Sequence, residues 1–266
     1  MMTAAPTRLM GIVNVTPDSF ADNVHRSVTD AIDWGVELVG QGADLIDVGG
    51  ESTRPDATRV DPEDEAARVL PVIEALAGAG ITISVDTVHS SVAAAAVRAG
   101  AHFVNDVSGG LADDQMWSVV ANSSAHYILQ HWRTPFSHRP THEAVVSEVA
   151  DELWERAQSA IEAGIDPDRL ILDPGIGFGK TASQNWELIA HAQVVSDLGF
   201  PVLWGVSRKR FLAQAYAHPT QPWQRDAAGA SITGLLARQR VWAVRAHTAP
   251  EHKAAIAVAE LIRAEA

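Results

Sequence analysis

The chain has 266 residues, 47% hydrophobic and 20% charged, with 33 acids against 20 bases for a formal charge of −13. That balance excludes generic nucleic-acid binding, which needs a basic footprint, and adhesion to anionic membranes. The lack of cysteine excludes disulfides, thiol nucleophiles and cysteine-ligated zinc together. No apolar run approaches the ~20 residues that span a bilayer, and Arg8 interrupts the opening segment too early for a secretory signal. The expectation is one soluble, cytoplasmic domain over residues 1–266 that works on small molecules, with no nucleic-acid and no membrane partner.

In chain order, the first strand-like apolar run covers 9–13. An unpatterned stretch at 21–28 and a helical pattern over 29–41 follow. The second run, 45–48, leads through an irregular segment at 51–60 to a helix over 62–76. The third, 81–85, precedes a helix over 92–99. Runs at 102–104 and 126–129 come next, then an irregular stretch at 132–142 and a helix over 143–163. Runs at 170–172 and 202–204, an irregular stretch at 215–224, a run at 241–244 and a helix over 249–264 complete the pattern. Continuous apolar runs suit parallel strands covered on both faces. Gly42, Gly80, Gly100, Gly164 and Gly199 fall just past helical patterns, where left-handed C-caps belong. Eight strand–helix units match a single-domain α/β fold, the (β/α)8 TIM barrel of roughly 250 residues. An open doubly wound sheet is the competing architecture, because the pattern does not prove closure.

Every run exits into polar residues. Asn14 follows the first, 49–54 the second, Asp86 the third, Asn105 and Asp106 the fourth. Gln130 and His131 follow the fifth, Asp173 the sixth, 207–209 the seventh, Arg245 and His247 the eighth. Any one could be a solvated loop start or a helix cap. All eight in one register point to the mouth of a barrel, where strand carboxyl ends converge.

Asp86, Asn105 and Asp173 would present two carboxylates and an amide, a set suited to a flat heterocycle with several N–H donors. Lys209 is one of three lysines (180, 209, 253), and a lysine after a strand is a point charge for a carbonyl or anion. A helix beginning there would offer free N–H groups to a carboxylate. Arg245 and His247, two apart on a strand, would face one side. With Arg54 and Asn14 they form a candidate diphosphate set, Asn14 lending an oxygen to Mg²⁺. The glycine-rich 173–180 lacks the spacing of a Walker loop. No histidine–carboxylate cluster has zinc spacing along the sequence.

The segments Asn14-Val15-Thr16-Pro17-Asp18-Ser19-Phe20, Asp47-Val48-Gly49-Gly50-Glu51-Ser52-Thr53-Arg54-Pro55 and Ser84-Val85-Asp86-Thr87 carry a resemblance. So do Asn105-Asp106-Val107-Ser108-Gly109-Gly110, Asp173-Pro174-Gly175-Ile176-Gly177-Phe178-Gly179-Lys180, Ser207-Arg208-Lys209 and Arg245-Ala246-His247. In this order they resemble the dihydropteroate synthase family over essentially the whole length, and His131-Trp132-Arg133 is similar to its actinobacterial branch. The resemblance implies a transferase of folate biosynthesis that joins a hydroxymethyl-dihydropterin diphosphate to 4-aminobenzoate and releases diphosphate. It also implies Mg²⁺ as cofactor, a homodimer and a sulfonamide target.

By the same resemblance, Asp86, Asn105, Asp173 and Lys209 hold the pterin, with Gln130 at its edge. Asn14, with the metal, and Arg54, Arg245 and His247 take the diphosphate. Phe20, Thr53, Pro55, Phe178, Ser207 and Arg210 surround the aminobenzoate. Asp86, Asp173 and Asp22 stabilise a pterin cation on an SN1-like path, and Lys209 completes the catalytic set. Departures are Asn23 and Val24 where the family usually has two glycines, Gln130 where methionine is frequent, and Arg210 for a frequent serine. Two other readings stand beside it: the pterin-binding barrel of a methyltransferase, and a non-catalytic pterin-binding paralogue. Arg54, Arg245 and His247 weigh against the first, Lys209 and the loop motifs against the second.

Overall fold

Eight parallel strands follow one another along the chain: β1 (Arg8–Asn14), β2 (Leu45–Gly49), β3 (Ile83–Asp86), β4 (Phe103–Asp106), β5 (His126–Gln130), β6 (Leu170–Asp173), β7 (Leu203–Trp204) and β8 (Ala243–Ala246). In this computed structural model, which describes residues 6–15, 27–51, 60–132 and 144–265, their spatial order is β6-β5-β4-β3-β2-β1-β8-β7. The two ends of that sheet meet through a bridge between Leu172 and Val202, where the Leu172 N–H donates to Pro201 O at 2.9 Å. The barrel is thus nearly closed, and the open sheet is set aside. Phe20, Asp22, Thr53, Arg54 and Pro55, expected at the site, lie outside the described residues.

Between the strands lie α1 (Val28–Gly40), α2 (Pro62–Gly78), α3 (Ser90–Arg98), α4 (Met116–Ala121), α5 (Val145–Glu162), α6 (Ala182–Ala190), α7 (Ala192–Ser196), α8 (Asp226–Arg238) and α9 (Pro250–Ala264). Local chemistry sets their starts. Ser27 and Asp30 form a reciprocal capping box before α1, Thr181 and Gln184 another before α6, and Asp61 caps α2 with Pro62 behind it. The five glycines expected as C-caps all have positive φ. One expectation fails: residues 207–210 do not open an α-helix, and Arg210–Ala215 is a short 3-10 segment. No helix among the described residues is long and apolar enough to cross a membrane.

Strand register decides what the barrel encloses. Met10 pairs with Leu45, Ile12 with Asp47 and Asn14 with Gly49, and alternate residues face inward. Met10, Leu45, Phe103, Ile128, Ile171, Leu203 and Ala243 fill the lower interior as an apolar plug, backed by Trp242. The outward residues, among them Ile46, Val48, Val85, Val104, Leu129 and Val244, are covered by the helices in a second, larger core. Most strands run one or two residues past the apolar runs, so their polar ends belong to the ladder rather than to solvated loops.

Not every acid at a strand end faces the interior. Asp106 turns outward from β4 and is fully buried. It accepts from Ser108 N (2.8 Å), Ser108 Oγ (2.6 Å), Gly110 N (2.8 Å) and Tyr127 OH (2.7 Å), which fixes the turn after β4. Tyr127→Phe removes one of these four donors. It should lower stability by about 1.5–3 kcal/mol, the usual worth of a hydrogen bond to a charged group. The effect should appear as an earlier urea midpoint at unchanged slope; an unmoved midpoint would show that Asp106 does not need the phenol.

Candidate active site

Above the apolar plug, β2, β3, β4 and β8 bring a charged cluster into the barrel mouth. Arg245 Nε donates to Asp47 Oδ2 at 2.6 Å and its Nη2 to Asp86 Oδ2 at 2.7 Å. Asn105 Nδ2 donates to the same Asp47 oxygen at 3.0 Å. Asp47 is completely buried, and an unpaired carboxylate in such a place costs several kcal/mol, so Arg245 is as much a structural counter-ion as a ligand group. Burial pushes Asp86 upward, Arg245 opposes it and Asp47 adds to it.

Asp173 is raised by the same cause to about 6, against the Gly175 N–H that it accepts at 2.7 Å and the charge of Lys209. Within this cluster Asp47 Oδ1, Ser84 Oγ, Asp86 Oδ1 and Asn105 Oδ1 have no hydrogen-bond partner in the protein. Three of those four atoms can only accept, and buried acceptors left unpaired are costly. A ligand edge rich in N–H groups would satisfy them.

The seventh strand supplies the facing cation. Lys209 Nζ lies 4.3 Å from the centroid of the Phe178 ring, a cation–π contact. Burial, then Arg245, lowers Lys209 to about 8, while Asp173 and Asp86 hold its charge on. Lys209 fits against the loop after β6 because Gly177 has no side chain. A Cβ there would stand 3.0 Å from Lys209 Cδ, and the backbone has φ 81.

Gly175 is tighter, since its Cβ would meet His131 O at 2.2 Å. The loop is held by Lys180, whose Nζ donates to Gly175 O (2.9 Å), Phe178 O (3.2 Å) and His131 Nδ1 (3.0 Å). Asn185 Oδ1 accepts from Gly177 N at 2.6 Å. Ahead of Lys209, Arg208 adopts a left-handed φ of 59, rare for a non-glycine residue. It is fixed there by a two-point pair with Asp226 at 2.9 and 2.8 Å.

The remaining expected residues divide. Asn14 is half-buried at the rim. A Cβ on Gly49 would lie 3.8 Å from Asn14 Oδ1 and 3.7 Å from Asp86 Oδ2, so the glycine keeps the space between them open. Gln130 is buried and donates to Val107 O at 3.3 Å. Phe178 is half-buried and Arg210 exposed.

Ser207 is buried and engaged: its Oγ accepts from the His247 backbone N–H at 3.2 Å and lies 3.0 Å from His247 Nδ1. His247 lies beyond the end of β8. Burial and the charges of Arg208, Arg245 and Lys209 hold it well below the ordinary histidine range, so it meets a ligand as a neutral ring. Arg245 starts low on β8, in register with Met10, and its guanidinium reaches up to Asp47 and Asp86; its side chain is 20% accessible against 0% and 6% for theirs, so it lies on the open side of the acids.

His131 also follows a strand, yet it points away from the mouth. Its Nε2 pairs with Glu152 Oε2 at 3.0 Å, and burial with the Lys180 charge lowers it to about 3. Asp47, Lys180 and Asn185 were not expected at the site. Asp47 had a signal: an acid two residues after Leu45 inside an apolar strand faces the interior and must pair there. Lys180 and Asn185 act through backbone carbonyls and amides that no spacing rule marks.

The pattern of the family described as "Pterin binding enzyme" matches residues 10–247. A dihydropteroate synthase of Mycobacterium leprae is 42% identical over 255 residues, 92% of this chain and 90% of that protein. Among solved structures, the Xanthomonas albilineans dihydropteroate synthase with 4-aminobenzoic acid is 42% identical with a TM-score of 0.89, covering 97% of this chain and 94% of that one. The Yersinia pestis enzyme with a sulfonamide drug is 32% identical with a TM-score of 0.92, covering 99% of both. With the barrel and the acid–lysine hollow already in place, these likenesses fix the family: the chain belongs to the pterin-binding enzymes, and among them to the dihydropteroate synthases.

Proposed function

We propose that the chain joins 6-hydroxymethyl-7,8-dihydropterin diphosphate to 4-aminobenzoate, giving 7,8-dihydropteroate and diphosphate. The observation that carries this reading is the set of unpartnered acceptors on Asp47, Asp86 and Asn105, set in one hollow with Asp173 and Lys209. A pterin offers ring and exocyclic N–H groups to those acceptors and a carbonyl to the Lys209 ammonium. The C–O bond to diphosphate breaks, the aromatic amine forms a C–N bond, and the amine loses a proton. Before the new bond forms, positive charge grows on the pterin methylene. Carboxylates fixed in a dry cavity stabilise such charge without reorganising, and Asp86 and Asp173 are so placed on an SN1-like path.

The aminobenzoate reads best beside Phe178, near Ser207 and Arg210, with Phe20, Thr53 and Pro55 from the two loop motifs, which also bring Asp22 and Arg54. For the diphosphate, His247 offers a neutral N–H, and Arg245, accessible above the acids it pairs with, a guanidinium. Asn14 Oδ1, beside the open space over Gly49, fits Mg²⁺, which takes one or two protein oxygens and otherwise phosphate and water. That ion, when bound, would neutralise charge on the leaving diphosphate. Exposed Leu235, Val258, Leu261 and Ile262 on α8 and α9 support a homodimer through these helices, and the cysteine-free composition supports a cytoplasmic setting.

Full-length protein with Mg²⁺ and the two substrates should release diphosphate and form dihydropteroate, with a sulfonamide competing against 4-aminobenzoate; no diphosphate release rejects the reading. Lys209→Ala should bind free pterin at least about tenfold more weakly, the worth of one lost charged contact. Arg245→Met should lose stability by roughly 3–5 kcal/mol, because two buried carboxylates lose their partner, and should weaken free pterin as well as its diphosphate. Selective loss of the diphosphate form alone would show that Arg245 serves only the leaving group.

Proton competition gives a further expectation. Burial raises Asp86 to about 7 and Asp173 to about 6, and protonation turns an acceptor oxygen of each into a donor facing the ligand's N–H groups. Free-pterin affinity measured by calorimetry should therefore be highest between pH 7 and 8, decline as pH falls from 7 to 5, and decline again above 8 as Lys209 loses its charge. A flat profile would mean that neither carboxylate is in the contact.

A further inference from the structure

Glu51 two residues past β2, Glu65 on the inner face of α2 and His89 before α3 converge beside the site rather than in it. One ligand atom from each lies within 4.8 Å of the other two. His89 Nδ1 is 2.7 Å from Glu65 Oε2, and Thr87 Oγ1 donates to that same oxygen at 3.1 Å. Glu65 is fully buried, and its second oxygen, Oε1, has no hydrogen-bond partner. A carboxylate in this position calls for a cation. Burial raises its pKa, the hydrogen bonds of His89 and Thr87 and the charge of His89 oppose that rise, and Glu51 adds to it. Gly50 is pressed against the cluster, since a Cβ there would lie 2.9 Å from Glu65 Cγ and 2.8 Å from Val69 Cγ1, so the strand end cannot swing away.

We infer that Glu51, Glu65 and His89 form a binding site for one divalent transition metal of the zinc class, separate from the catalytic hollow. One imidazole nitrogen with two carboxylates is a zinc-type donor set, and calcium or magnesium would favour oxygen alone. Donors about 2.0–2.2 Å from one ion stand about 3.4 Å apart in tetrahedral geometry, so small rotamer changes suffice. His89 is partly exposed, with 22% of its side chain accessible, and gives an ion a way in. An ion there would tie the residue that opens the second loop to the turn just after Asp86, and so stiffen the rim without touching substrate. The site was invisible along the sequence because its three donors come from three elements, 14 and 24 residues apart.

The test is titration of chelator-stripped full-length protein with Zn²⁺, and with Co²⁺ as a visible reporter, in excess Mg²⁺. One ion per chain is expected, with Co²⁺ giving a visible absorption band typical of low coordination number. His89→Ala and Glu65→Gln should each weaken uptake by more than about tenfold, the lower end of what even an outer-shell partner contributes. Asn14→Ala should leave uptake unchanged. Uptake that survives His89→Ala intact, or no uptake beyond scattered surface histidines, overturns the site. His89 is partly exposed, so this variant keeps the test decisive should Glu65→Gln fail to fold.

Discussion

The barrel mouth is built around one ion network, Arg245 between Asp47 and Asp86. Everything above the apolar plug depends on it. Without the guanidinium, β2 and β3 would each turn a buried carboxylate toward the other with no cation between them. With it, three carboxylates (Asp47, Asp86 and Asp173) face Arg245 and Lys209, and Lys180 adds its charge toward Asp173. The hollow is left with more buried acceptors than donors. Such an imbalance costs stability, yet it favours a ligand that donates hydrogen bonds and, further along the reaction, one that becomes a cation. The same feature that strains the empty site thus lowers the energy of the charge-developing state.

That arrangement is rigid because its members sit on strands rather than on loops. Asp47, Asp86, Asn105, Asp173 and Arg245 all lie within the ladder, so their positions follow from register. Lys209 is the exception, and it is held from three sides. The Gly177 backbone and the Phe178 ring flank it, and the strained Arg208, clamped to Asp226, fixes the turn that presents it. Strain of this kind is worth of order 1–3 kcal/mol and persists only where the surroundings over-determine it. Here the surroundings aim an ammonium at the acids.

Much of this was legible from the order of residues alone. Apolar runs of strand length and their spacing carried the barrel, and the polar residue after each run carried the mouth. Asn14, Asp86, Asn105 and Asp173 were found that way because period-two alternation makes position on a strand equivalent to direction; Lys209, beyond its strand, stood out as one of three lysines. The rest required three dimensions. The reach of Arg245 to Asp47 and Asp86 depends on the stagger between β8 and β1, where Met10 pairs with Arg245. His131 looked like a mouth residue but lies one step out of phase, and it faces α5. Lys180 carried no assigned role, and it ties two carbonyls of its own loop and the His131 ring. The 3-10 segment after Lys209 could not be told from an α-helix, because both begin with the same residue types.

A chain with a formal charge of −13 that handles an anionic diphosphate and an anionic benzoate must localise its cations. The described ones show how. Arg208 is matched by Asp226 and Lys253 by Asp44, while Arg169 is turned onto carbonyls at the turn before β5. Those charges fix structure and cancel at short range. Near the strand ends stand Lys209, Arg245 and Lys180, each facing carboxylates of the same cluster. Substrate anions therefore meet cations and fixed donors gathered at the mouth, within about a Debye length of ~10 Å, on a chain that is acidic overall. The acidity of the surface becomes a source of selectivity in direction rather than an obstacle to binding.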